Sequence, residues 1–177
     1  MPLDVTSLQD LATEAVGAVT ERLTAGAITP AQWLREMERI VTRAHTAAYV
    51  AATAERLGVP LAAVKGLSRV ERRELEALVA AQRPYLAGFL RDIRAGGLSD
   101  AEIRARAALY AGPVRATYSK TRWVGLPAHP GDGSTECLAW CKCSWVERSG
   151  EMYWELGAAE HCPTCERRAT DWAPWRG

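Results

Sequence analysis

All five cysteines of this 177-residue chain fall in one short stretch, at Cys137, Cys141, Cys143, Cys162 and Cys165. That clustering constrains the fold more than any other feature. The chain opens Met1-Pro2-Leu3-Asp4-Val5, with neither the basic nor the apolar segment of a secretory signal. No apolar run approaches the roughly 18 residues a membrane-spanning helix needs. A reducing cytosol is therefore the expected compartment, with no membrane partner. Disulfides are rare there, and an odd number of cysteines would leave one unpaired. Cysteines gathered in this way are spaced like metal ligands.

The sharpest motif is Cys162-Pro163-Thr164-Cys165. Two thiolates at this spacing fold onto one tetrahedral ion. A CxxC pair alone also fits a redox dithiol, but a redox pair needs no further cysteines, whereas a closed four-coordinate site needs two more. Cys137-Leu138-Ala139-Trp140-Cys141-Lys142-Cys143 supplies three candidates. The gap between the clusters is about that of ribbon-type zinc sites, where a hairpin separates two ligand pairs. The expected ion is a structural Zn²⁺ held by Cys162, Cys165 and two of Cys137, Cys141 and Cys143. Cys137 with one of the Cys141/Cys143 pair is the favoured choice, and the remaining thiol is then a small buried apolar group. His161 is the substitute ligand. Thiolates are plentiful and His scarce, which argues against an open catalytic metal.

The chain divides near Pro127. Residues 1–126 are rich in Ala, Arg and Leu and read as helix. Residues 127–177 hold all five Cys and five of the seven Trp, and read as a Cys-rich, zinc-ribbon-like module. Four helix starts carry the capping-box pattern: Thr6 with Gln9, Thr29 with Gln32, Ser68 with Glu71, and Ser99 with Glu102. Helix one is expected over about 7–25, with Leu8, Leu11, Ala15, Val19 and Leu23 inward. Helix two is expected over 30–57, with Trp33, Met37, Ile40, Ala44, Ala47 and Ala51 inward. Its Ala-lined second half admits a close neighbour. Helix three follows Ser68 and carries Pro84, which should kink or split it. Helix four follows Ser99, with a kink at Gly112-Pro113. Residues 138–147 and 152–156 read as the two strands of a hairpin, and a short helix follows Pro163. The expected fold is mainly α: a bundle of about four helices, then a zinc-stapled β-hairpin with a short helix. Such a hairpin is too small to hold itself, and structural zinc contributes about 10 kcal/mol or more. Trp145, Trp154 and Trp172 are placed to wrap the site.

A formal net charge of +1 gives no bulk attraction to a polyanion. Around the hairpin, Lys142 and Arg148 are offset by Glu136, Glu147, Glu151 and Glu155, leaving Arg167 and Arg168 as the best basic patch. Nucleic acid is therefore a partner the charge does not favour. His129 and Asp132 share the loop His129-Pro130-Gly131-Asp132-Gly133-Ser134. A hydrolase would use such residues, but Asp, Gly and Ser also sit in loops because turns need them, and no activated nucleophile can be named.

The segment from Arg91 to Trp175 resembles the minor head, or head-morphogenesis, proteins of tailed bacteriophages, the broad Mu F-like group. The matching stretches are Gly97-Leu98-Ser99, Arg106 to Gly112, His129 to Thr135, Cys137 to Trp145 and Glu160-His161-Cys162-Pro163-Thr164-Cys165. The last two are the specific part. The resemblance implies a non-enzymatic structural protein of the phage head, made in the host cytoplasm and carried in the virion. Its implied partners are the portal or the major capsid protein, with self-association open. All five cysteines carry over as the candidate ligand pool, and no catalytic residue does. The competing reading is a nucleic-acid-binding zinc ribbon.

Overall fold

The computed structural model describes residues 5–177, the side chain of Ala139 apart. Three of the four expected caps are present as reciprocal boxes. Thr29, Ser68 and Ser99 each accept from the backbone three residues on, while Gln32, Glu71 and Glu102 reach back to the cap N–H. Each box satisfies donors that a helix start leaves orphaned. Thr6 is no cap, because helix α1 (Val5–Thr24) already includes it. Helix α2 (Pro30–Leu57) has the expected bounds, with Pro30 starting it and Gly58 ending it in left-handed backbone.

Helix α2 is the centre of the bundle and packs against α1, α3 (Arg69–Ala95) and α5 (Val114–Arg122). At one end Trp33 and Met37 meet Val16 and Val19 of α1, Leu86 and Phe89 of α3, and Ile103 and Ala107 of α4 (Asp100–Ala108). Trp33 and Phe89 meet edge to face at 5.7 Å, a geometry aromatic quadrupoles favour. At the other end Ala48, Ala51 and Ala52 let α1 and α5 approach through Leu8, Ala12, Val114 and Tyr118. The small side chains thus do admit a close neighbour. The inward stripe of α1 is rotated from expectation: Ala12 and Val16 are buried, whereas Leu11 is 57% exposed.

Of the two proline expectations, a split of helix three at Pro84 is corrected, and the kink at Gly112-Pro113 proves to be a full break. Helix α3 runs unbroken through Pro84. Pro84 and Ala80, whose carbonyl it would have bonded, are both exposed, so water can satisfy the freed acceptor. The fourth helix, by contrast, is two helices. Residues 109–113 form turns closed by bonds three residues back, and α5 starts after Pro113, since Pro113 has no N–H to continue the helical ladder to Leu109. The N-terminal region, expected as a bundle of about four helices, therefore has five α-helices among the described residues.

A polar pair sits inside this apolar packing. His45 of α2 is fully buried, with its Nδ1 2.7 Å from Thr117 Oγ1 of α5. Burial lowers its pKa to about 4. The chain then loops through 123–143 to an antiparallel hairpin, β1 (Ser144–Arg148) and β2 (Glu151–Glu155), and to helix α6 (Pro163–Asp171). Ser149 and Gly150 both have positive φ, 56° and 84°, as a two-residue hairpin turn requires. The first strand is shorter than expected. Residues 138–140 form a 3-10 turn and the strand begins at Ser144.

Candidate metal centre

The five cysteines arrive from three local structures. Cys137 precedes the 3-10 turn, whose Leu138 has φ 50°. Cys141 and Cys143 flank Lys142 in the bent lead into β1. Cys162 is the N-cap of α6, Pro163 starts that helix, and Cys165 lies in its first turn. The hairpin carries the chain from the first group to the last. There Gly157 lies against Lys142 so closely that a Cβ on it would sit 2.7 Å from the Lys142 carbonyl carbon. Only glycine permits that approach, and it lets the Gly157 N–H donate to the Cys143 sulfur.

The sulfurs converge in two overlapping sets. Cys141, Cys143 and Cys165 lie within 4.8 Å of one another, and so do Cys137, Cys162 and Cys165. Cys165 is common to both, and its sulfur is 3.5 Å from that of Cys141. Cys141, Cys143 and Cys165 are buried, while Cys137 and Cys162 are half-buried at the rim. The cluster can hold a metal ion. His161 belongs to neither set and is half-buried beside Cys162.

Backbone and thiol donors set the electrostatics. The Cys141 thiol bonded to Cys143 holds the latter below its ordinary pKa, and the Gly157 N–H adds to this. The same thiol pairing, with burial, pushes Cys141 up. Burial pushes Cys165 and Cys137 up as well. At Cys162 burial and the Glu136 carboxylate work upward, but the Cys137 thiol and the backbone N–H groups of Cys165 and Cys137 outweigh them, and the net shift is downward. Buried thiols packed together resist carrying several negative charges. A cation among them removes that cost, since metal ligation deprotonates thiols outright.

Tryptophans and an arginine wall the cluster. Trp145 and Trp154 are nearly buried and pack with the cysteines. Trp172 stacks on Trp145 at 5.3 Å and meets Trp154 edge to face at 5.7 Å. The Arg168 guanidinium lies 4.9 Å from the Trp172 ring centroid and 5.1 Å from that of Trp154. Helix α5 reaches this module through Arg115, which donates to the carbonyls of Lys142 at 3.2 Å and Cys143 at 3.3 Å. Trp145 Nε1 donates to the Ala128 carbonyl at 2.8 Å.

The loop residues His129 and Asp132 serve this architecture. Asp132 accepts from the backbone N–H groups of His129 at 2.7 Å and Ser134 at 2.8 Å, and from the Ser134 hydroxyl. His129 is buried, with Nδ1 3.1 Å from Ser119 Oγ. The carboxylate grips the backbone of the histidine, not its ring, so it does not orient the imidazole as a catalytic triad would. Three contributors escaped the sequence reading: Gly157, Arg115 and Glu136, whose carboxylate pairs with the Cys162 thiol and with Thr164 Oγ1 at 2.8 Å. In the sequence Glu136 stands out only as a charge that offsets Lys142 and Arg148.

Compared with known protein families, curated proteins and solved structures, the chain matches none.

Proposed function

We propose that this chain is a minor structural protein of a tailed-bacteriophage head, without enzymatic activity, and that four of its five cysteines hold one structural Zn²⁺. One observation carries the reading. The two cysteine stretches on which the resemblance to minor head proteins rests meet at a single locus around Cys165. Tetrahedral zinc with bonds of about 2.3 Å places its sulfurs about 3.8 Å apart, close to the 3.5 Å between Cys141 and Cys165. An all-sulfur donor set suits a closed site that staples a small module. The bundle then presents its outer helix faces to the portal or the major capsid protein.

The use of Asp132 to tie down its own loop supports a non-enzymatic role. Arg168, half of the best basic patch, is engaged with Trp154 and Trp172, which weighs against nucleic acid as the partner. The test is quantitative mass spectrometry of intact phage particles, with zinc measured on the purified chain. The chain should be found in fixed low copy number per particle and carry one zinc. Its absence from intact particles would defeat the phage assignment. Tight DNA or RNA binding that weakens steeply with salt would transfer the reading to a nucleic-acid-binding zinc ribbon.

A further inference from the structure

We propose that Cys137 is the cysteine outside the ligand set, and that it is a peroxide-sensitive thiol which closes a reversible disulfide with Cys162. The proposal rests on the reading that the cluster binds a metal. Cys165 links two unlike halves of the cluster. Its partners on one side, Cys141 and Cys143, are buried with it behind Trp145 and Trp154. Its partners on the other, Cys137 and Cys162, are half-buried and bonded to each other, thiol to thiol and through their backbone N–H groups.

A four-coordinate ion seated on the three buried sulfurs takes one from the rim. Cys162 is the better placed. It is the N-cap residue of the same helix that carries Cys165 one turn on, and the two sulfurs lie within 4.8 Å of each other. Ligands fixed on one rigid element need no reordering to bind. Cys137 comes from the loop beside a left-handed Leu138. It is left as a half-exposed thiol touching a ligand.

Oxidation of a cysteine follows its thiolate character and exposure, and a neighbouring thiol traps the product; Cys137 has the exposure and, in Cys162, the neighbour. Hydrogen peroxide converts the Cys137 thiol to a sulfenic acid and releases one water. The Cys162 thiolate, which would otherwise hold the ion, attacks that sulfur. The S–S bond forms, hydroxide departs, and a solvent proton makes it the second water. Two cysteines lose two electrons and the peroxide gains them. Cys162 would then be lost as a ligand, leaving three sulfurs to hold the ion more weakly.

The experiment treats the full-length, zinc-loaded protein with limiting hydrogen peroxide, followed by non-reducing peptide mapping and a zinc-release dye. The first new link expected is Cys137–Cys162, appearing in step with zinc release and reversed by dithiothreitol. Cys137→Ser should bind one zinc as the parent does and release it at least about tenfold more slowly under peroxide. A Cys137→Ser variant that no longer holds zinc, an unchanged release rate, or a first disulfide between any other pair would overturn the proposal. If the parent protein holds no metal, the metal reading fails separately, and the mapping still decides whether Cys137 and Cys162 pair first.

Discussion

Acidifying the protein from pH 7 to pH 4.5 should unload a defined share of its stability through His45. The ring is completely buried between α2 and α5, and its one hydrogen bond goes to Thr117. Its Nε2 meets no hydrogen-bond partner among the described residues, so an added proton has nowhere to be received. Burial lowers the folded pKa from 6.5 to about 4. The unfolded chain therefore binds this proton first. Stability is fully present above pH 6.5 and is lost as pH falls from there toward 4. At about 1.4 kcal/mol per pH unit, the gap amounts to about 3 kcal/mol, a large part of the 5–15 kcal/mol typical of a domain. His129 is also lowered by burial and adds loss of the same sign, so the parent curve alone does not isolate His45. The assay is urea unfolding at a series of pH values for the parent and for His45→Gln, whose amide can still bond Thr117 but does not titrate. The variant should lose less stability between pH 6.5 and 4.5, by about 2–3 kcal/mol. Equal slopes would refute the argument, because a histidine that charges freely in the folded state contributes no pH dependence.

Other perturbations have equally direct readouts. Gly157→Ala puts a Cβ into the Lys142 carbonyl group and should lower metal affinity at least about tenfold in chelator competition. Pro84→Ala should stabilise the protein by about 1–3 kcal/mol, because an exposed interior proline is replaced by the best helix former. A lower melting temperature would mean the proline ring fixes the course of α3. Ser99→Ala removes the cap of α4 and should cost about 1 kcal/mol in equilibrium unfolding.

Features of the fold set by nearby residues were legible in the sequence. The caps at Thr29, Ser68 and Ser99 depend on residues three apart, and each is present. Pro30 and Gly58 bound α2 for similarly local reasons. The mainly helical fold, the hairpin and the short helix after Pro163 follow from such signals together with the cysteine spacing. What the sequence does not show depends on the rest of the chain. Leu11 fits an apolar stripe, yet the neighbours of α1 select Ala12 and Val16. His45 sits among alanines, and only the approach of α5 gives it Thr117 as a partner. At the site, the five cysteines were visible as a group, but their division into buried and rim sulfurs was not, since it depends on the tryptophan wall. Gly157 looked like any loop glycine until Lys142 came to lie against it.

Chelation followed by circular dichroism tests the central claim most directly. With the metal removed, the near-ultraviolet signal of the packed Trp145, Trp154 and Trp172 should collapse while the far-ultraviolet helical signal of α1–α5 persists. A stripped protein whose tryptophan signal stays intact would contradict the account, because the cysteine-rich module would then be standing without the cation said to hold it.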